Sequence, residues 1–154
     1  VIAKMKAILS HLGAWAPMAE QKATARFLHQ EAAIEAYLTT FKADLHYRLE
    51  YIYQGLMQLK AKGFAVDAVA PQAALYLTIR FALVGKKTTE GKLLDNQAAV
   101  TQYLLEEAGL AIVPFYAFGA DNSSSWYRLS VGTCRKEDLA PMFEKLEVAL
   151  AKLQ

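Results

Sequence analysis

Residues 64–84, FAVDAVAPQAALYLTIRFALV, decide the fold. In its second half Leu75, Leu77, Ile79, Phe81 and Leu83 alternate with Ala74, Tyr76, Thr78, Arg80 and Ala82. That is the period of a β-strand with one uniformly apolar face. Pro71 and Gln72 supply turn chemistry, so the stretch reads as a pair of strands around a turn. Immediately before it, Ile34, Tyr37, Leu38, Phe41, Leu45, Leu49, Ile52, Leu56 and Leu59 recur at steps of three and four, which predicts a long amphipathic helix ending near Gly63. Taken alone, that stripe also fits a coiled coil. The strands that follow it favour packing on a sheet instead.

Working outward, Ile2, Met5, Ile8, Leu9 and Leu12 form another helical face, broken at Gly13 and Pro17. The opening run VIAKMKAILSHLGAWAPMA has the lysines and small residues of a signal peptide, but its apolar part is short and interrupted by Ser10 and His11. A helix is predicted from Met18 to Gln30. Beyond the strand pair, GKKTTEGK reads as a solvated loop, Asp95 to Ala108 as a helix stopped by Gly109, and LAIVPFYAFG as a strand interrupted by Pro114. A further strand, WYRLSV, follows the polar turn ADNSSS. A last helix starts after Thr133, with Glu137 and Asp138 in its first turn where the helix dipole favours negative charge. The expected fold is therefore α+β: a small sheet covered by helices, one of them long and amphipathic.

Composition narrows the function classes. The chain has 154 residues, 55% of them hydrophobic, enough for one packed domain. The net charge is only +2, and its 17 lysines and arginines are dispersed, which speaks against a nucleic-acid partner. No stretch is long and apolar enough to predict a membrane span. The single cysteine, Cys134, has neither a disulfide partner nor a zinc-type spacing, so a structural role and a reducing, cytoplasmic setting are the expectation. Val1 falls in the middle of a helical pattern, and the chain is expected to be part of something longer.

The WYRLSV strand carries the residue that most needs a reason. Tyr127, Leu129 and Val131 share its core side, which leaves Arg128, Ser130 and Gly132 on the other. A guanidinium beside small neighbours suits a planar carboxylate, held by two parallel hydrogen bonds. From the strand alone, the favoured reading is plainer: an edge-strand arginine facing solvent.

Other candidates are weaker. His11, His29 and His46 stand at no metal-ligand spacing and read as surface or packing residues. DNSSS lacks a nucleophile-elbow pattern and reads as a turn. Glu106 and Glu107 read as a solvated pair, and the loop between Gly85 and Gly91 lacks a phosphate-cradling pattern. No complete catalytic constellation can be assembled from these residues.

The order of the motifs LSHLGAWAPMAEQKATARFL, APQAALYLTI, YLLEEAGLAIVPFYAFGA and WYRLSVGT resembles the carboxy-terminal portion of class I/II aminotransferases, the fold-type I enzymes that use pyridoxal phosphate. The likeness covers nearly the whole chain. Its most specific part is a Pro–x–x–x–Phe–Gly strand followed, after a short polar loop, by an Arg–Leu–Ser strand. The subgroup it looks most like is that of the aspartate aminotransferases.

This resemblance implies that the chain is a single domain, residues 1–154, the small domain of a larger homodimeric enzyme that moves an amino group from an amino acid to a 2-oxo acid. It implies that Arg128 clamps the substrate's α-carboxylate, that Phe118 and Gly119 lie on a loop approaching the active site on closure, and that Ser130 stands close by. The pyridoxal phosphate, its attachment lysine and the aspartate partnering its pyridine nitrogen are expected on a large domain absent from this chain. Lys4 and Lys6 do not follow the family's Ser–x–x–Lys pattern and read as solvated helix residues. Ala14, Trp15, Ala16 and Pro17 replace the Thr–Ser–Asn–Pro run of many relatives, a loop that reaches the partner subunit's cofactor; Trp15 packs either there or in the core. The isolated domain is expected to be inert. The rival readings are another fold-type I enzyme, such as a decarboxylase, lyase or synthase, and a binding domain that has kept the fold without the chemistry.

Overall fold

The computed structural model describes residues 1–13 and 16–154, which form two compact units, Val1–Lys42 and Ala43–Gln154. The first unit holds helix α1 (Ile2–Leu12), helix α2 (Met18–Phe27) and the start of helix α3 (Glu31–Ala61). Gly13 ends α1 in the left-handed conformation, φ 64°, and its N–H is donated to the Leu9 carbonyl. Helix α2 stops three residues short of the predicted Gln30. The reason is that Gln30 already serves α3: its carbonyl accepts the Ile34 N–H at 3.0 Å. Along α3, Tyr37 and Phe41 stack one turn apart with ring centroids at 5.7 Å.

The second unit carries the core. After α3 come strand β1 (Val66–Ala68), strand β2 (Tyr76–Phe81), helix α4 (Gln97–Ala108), strand β3 (Val113–Pro114), a 3-10 turn over Phe115–Phe118, strand β4 (Trp126–Ser130) and helix α5 (Leu139–Ala151). The strands lie in the order β1-β2-β4-β3, each pair antiparallel. Leu77, Ile79 and Phe81 of β2 and Tyr127 and Leu129 of β4 share one face and join a single cluster with Leu49, Ile52 and Leu56 of α3, Val100 and Leu104 of α4, and Leu146 and Leu150 of α5. The alternation read from residues 74–83 therefore faces the helices, and the α+β expectation holds. Gly55 of α3 makes this packing possible, because a Cβ there would lie 2.4 Å from the tip of the Phe143 ring.

Sheet order corrects the plain reading of Arg128. Strand β4 is interior, with Thr78 of β2 paired to Arg128 on one side and Val113 of β3 on the other. Arg128 is therefore no edge-strand gatekeeper. The strand predicted over LAIVPFYAFG shrinks to Val113–Pro114, since Pro114 has no N–H to extend a ladder and the chain turns into the 3-10 segment directly after it. The loop at residues 85–92 is also less solvated than its composition predicts. Lys87 exchanges backbone hydrogen bonds with Gln154 at 3.1 and 3.0 Å, and the Thr88 side chain is buried. The last helix begins later than predicted, after a 3-10 turn over Lys136–Asp138. There Asp138 receives two 2.8 Å hydrogen bonds from Arg135 rather than capping α5 with its side chain. Helix α4 matches its prediction: the Asn96 side chain accepts the Ala99 N–H at 2.9 Å and Gly109 closes it at φ 66°.

The turn before β2 stores strain. Ala74 has φ 64°, where an L-residue pays for its Cβ. Replacing it with glycine removes that penalty while adding some freedom to the unfolded chain. Ala74→Gly should raise stability by about 0.5–1 kcal/mol, measured as a higher urea midpoint with an unchanged denaturant slope; a lower midpoint would show that the turn relaxes at no cost.

Candidate functional site

The register that pairs β2 with β4 places Tyr76 opposite Ser130, Thr78 opposite Arg128 and Arg80 opposite Trp126. These side chains occupy the sheet face turned away from α3, α4 and α5. Val113 of β3 joins them beside Arg128. Arg128 is half-buried, Ser130 exposed. Among the described residues Arg128 makes no ion pair, whereas Lys60, Lys62, Lys136, Lys152 and Arg135 all have carboxylate partners within 2.5–2.8 Å.

What surrounds Arg128 is aromatic. Its Cζ lies 4.6 Å from the centroid of the Tyr76 ring and 4.3 Å from that of Phe118. Tyr76 belongs to β2, on one flank of β4, and Phe118 ends the 3-10 turn that follows β3, on the other. The expectation that only small neighbours attend the guanidinium is thus corrected: Ser130 and Gly132 are its neighbours along the strand, but the rings reach it across the sheet. Phe118 gets there because the chain tightens into a 3-10 turn after Pro114 and leaves it through Gly119 at φ 90°, a backbone conformation that suits glycine. The nearby polar loop is held by turn chemistry, as its composition predicts. Asp121 accepts hydrogen bonds from the Ser123 N–H at 2.7 Å and its hydroxyl at 2.5 Å, which hold its carboxyl below the ordinary range.

The other candidates do not converge on this face. Among the described residues no cluster of histidine, cysteine, aspartate or glutamate could hold a metal ion. His11 is exposed and its Nδ1 lies 2.8 Å from the Ala7 carbonyl within its own helix. Cys134 has its thiol pushed up by burial, against reactivity, and its Sγ lies 3.4 Å from the Val131 carbonyl. Glu107 pairs with Lys152. A groove of about 540 Å³ between α3 and α5, floored by Tyr47, Tyr51 and Phe143, has no sheet residue in its lining, and its Lys62 and Glu147 pair with each other. Trp15 lies outside the described residues. Tyr76 was not singled out from sequence. Its phase in the alternation places it opposite the core, but only the cross-strand register brings it to Arg128.

The profile of "Aminotransferase class I and II" matches residues 1–146. This chain is a class I and II aminotransferase family member. A probable aspartate/prephenate aminotransferase of Rickettsia typhi is 40% identical over 72 residues, 46% of this chain and 17% of that protein. The aspartate aminotransferase of Rhizobium meliloti is 34% identical over 89 residues, 57% of this chain and 21% of that protein. The crystal structure of an aspartate aminotransferase from Rhizobium meliloti superposes with a TM-score of 0.63 at 28% identity, covering 77% of this chain and 28% of that one. A Thermus thermophilus aspartate aminotransferase tetra mutant superposes at 0.65 and 24% identity, covering 83% and 30%, a likeness of fold. The matched part of this chain thus spans less than a third of each of these relatives. Among the described residues no helix is long and apolar enough to cross a membrane.

Proposed function

We propose that this chain is the small domain of a pyridoxal-phosphate aminotransferase and binds the α-carboxylate of the amino-acid and 2-oxo-acid substrates through Arg128. The observation that carries the proposal is a half-buried guanidinium on an interior strand, without an ion-pair partner among the described residues, on the face opposite the helical layer. A buried or half-buried charge without a counter-ion is costly to keep, and an incoming carboxylate matches its fork with two charge-assisted hydrogen bonds. Ser130 and Thr78 border the same position, and Phe118 with Gly119 stands at its rim, on a loop that approaches the active site when the small domain closes.

The cofactor's attachment is assigned to the parent protein outside this chain. Strands β1 to β4 carry no lysine, which supports an attachment site away from the Arg128 strand. The cofactor supplies electron withdrawal at the substrate's α-carbon when bound; this chain's share is to hold and orient the carboxylate. The attachment lysine, the remaining cofactor contacts and a second subunit are assigned to the parent homodimer, with the present chain inert alone. The family match favours transamination over a lyase or a bare binding role.

The test is to express the parent protein that contains this chain and record its absorbance with and without an amino-acid donor. A cofactor band that shifts on donor addition, with stoichiometric 2-oxo acid released, supports the proposal. A parent without bound cofactor would overturn it, and release of carbon dioxide or of a side-chain fragment would replace transamination by one of the rival reactions.

A further inference from the structure

We propose that Tyr76 and Phe118 are positioning residues for Arg128, together holding its guanidinium so that its N–H edge stays turned toward the incoming carboxylate. The inference rests on Arg128 being the carboxylate clamp. Its own support is geometric. The Arg128 Cζ stands over both rings, at 4.6 Å from Tyr76 and 4.3 Å from Phe118, and the rings arise from opposite flanks of β4. A cation over a ring is attracted by the negative face of the π system. The N–H bonds of a guanidinium lie in its own plane, so rings that hold it by cation–π attraction take up none of its donors and leave its edge available. That edge is what a planar carboxylate needs for two parallel hydrogen bonds.

An arginine side chain has several rotatable bonds, and fixing it at the moment of binding loses affinity. Here that ordering is met beforehand by the two rings and not by a carboxylate of the protein. The distinction matters: an acidic partner would occupy the same donors that the substrate uses, whereas aromatic faces leave them free. Neither ring belongs to the core. Tyr76 is 43% exposed and Phe118 55%, and both meet the guanidinium from the side of the sheet opposite the helices.

Because both rings are exposed, replacing them leaves the helix-facing core intact. The experiment uses the 154-residue chain labelled with ¹⁵N and ¹³C arginine. The Arg128 Nε–H and side-chain methylene resonances are followed by NMR while acetate is titrated at constant ionic strength. In the wild-type chain the methylene protons should be shifted upfield by the ring currents. Tyr76→Leu and Phe118→Leu should each release part of that shift and weaken acetate binding about two- to fivefold. Tyr76→Phe, which keeps the ring and loses only the hydroxyl, should behave as the wild type. Unfolding is monitored alongside, and the phenylalanine variant keeps the comparison valid if a leucine variant folds poorly. Leucine variants that retain the wild-type shift and acetate affinity would overturn the proposal, as would a Tyr76→Phe variant that fails like Tyr76→Leu. Failure of the aminotransferase reading looks different: the parent would produce no 2-oxo acid, while the ring dependence of acetate binding in this chain would persist.

Discussion

In the parent enzyme, Arg128→Lys is expected to raise the KM for the amino-acid donor by about ten- to a hundredfold. Hydrogen bonds to charged groups contribute about 1.5–3 kcal/mol each. A lysine at this position keeps the charge but offers a point donor in place of a planar fork, so at least one of the two bonds is lost. It also weakens the ring contacts, since a compact, strongly hydrated ammonium meets Tyr76 and Phe118 less well than the planar guanidinium does. Both substrates of a transaminase carry the same carboxylate, so the KM of the 2-oxo acid should rise in parallel. Steady-state kinetics with donor and acceptor varied in turn checks both. A rise confined to one substrate would mean that Arg128 recognises a side chain rather than the common α-carboxylate, and no rise in either would remove it from the clamp role.

Much of this site was legible in the sequence, and the missing part has a definite physical source. Period-two alternation is a local property, so the inward set Tyr127, Leu129 and Val131 and the outward set Arg128 and Ser130 could be assigned from six consecutive residues. Whether β4 lies at an edge is not local. It depends on β3, a strand of only two residues whose pairing brings Val113 to Arg128. An apolar run with a proline inside predicts a longer strand, and the 3-10 turn that actually follows Pro114 is what carries Phe118 to the guanidinium. Tyr76 was hidden for a related reason. Its outward phase was clear, but pairing it with Ser130, diagonal to Arg128, takes a cross-strand register that no single strand encodes. The family resemblance pointed to Arg128 through its Arg–Leu–Ser motif and to Phe118 through its Phe–Gly strand, but carried nothing about Tyr76 or about contact between the rings and the guanidinium.

The second large effect is expected one residue away, on the opposite face of the same strand. Tyr127 is fully buried, its ring meets Phe81 edge-on at 6.1 Å between centroids, and its hydroxyl donates to the Oε1 of Gln97, itself buried. Tyr127→Ala should lower stability by about 3–5 kcal/mol through the cavity it leaves. Tyr127→Phe keeps the ring but strands the Gln97 amide, at a cost of about 1–3 kcal/mol. The two variants separate packing from hydrogen bonding, and pH separates them further. Burial, reinforced by Tyr116 and only partly opposed by Thr101, raises the Tyr127 phenol well above its ordinary value near 10. The fold therefore favours the neutral phenol: that contribution is complete below pH 10 and is lost as the pH climbs from there through the raised folded value. Urea unfolding of the wild type should accordingly show stability falling on the alkaline side. In Tyr127→Phe the fall should be shallower, with a residual slope from Tyr103, whose phenol burial also raises. At neutral pH the phenylalanine variant is the less stable of the two, and the gap should narrow as the solution becomes alkaline. An unchanged alkaline slope would place the titrating group elsewhere in the core. Since β4 turns Tyr127 inward where it turns Arg128 outward, loosening this anchor should also disturb the neighbouring guanidinium, and the Arg128 resonances of Tyr127→Phe would report it.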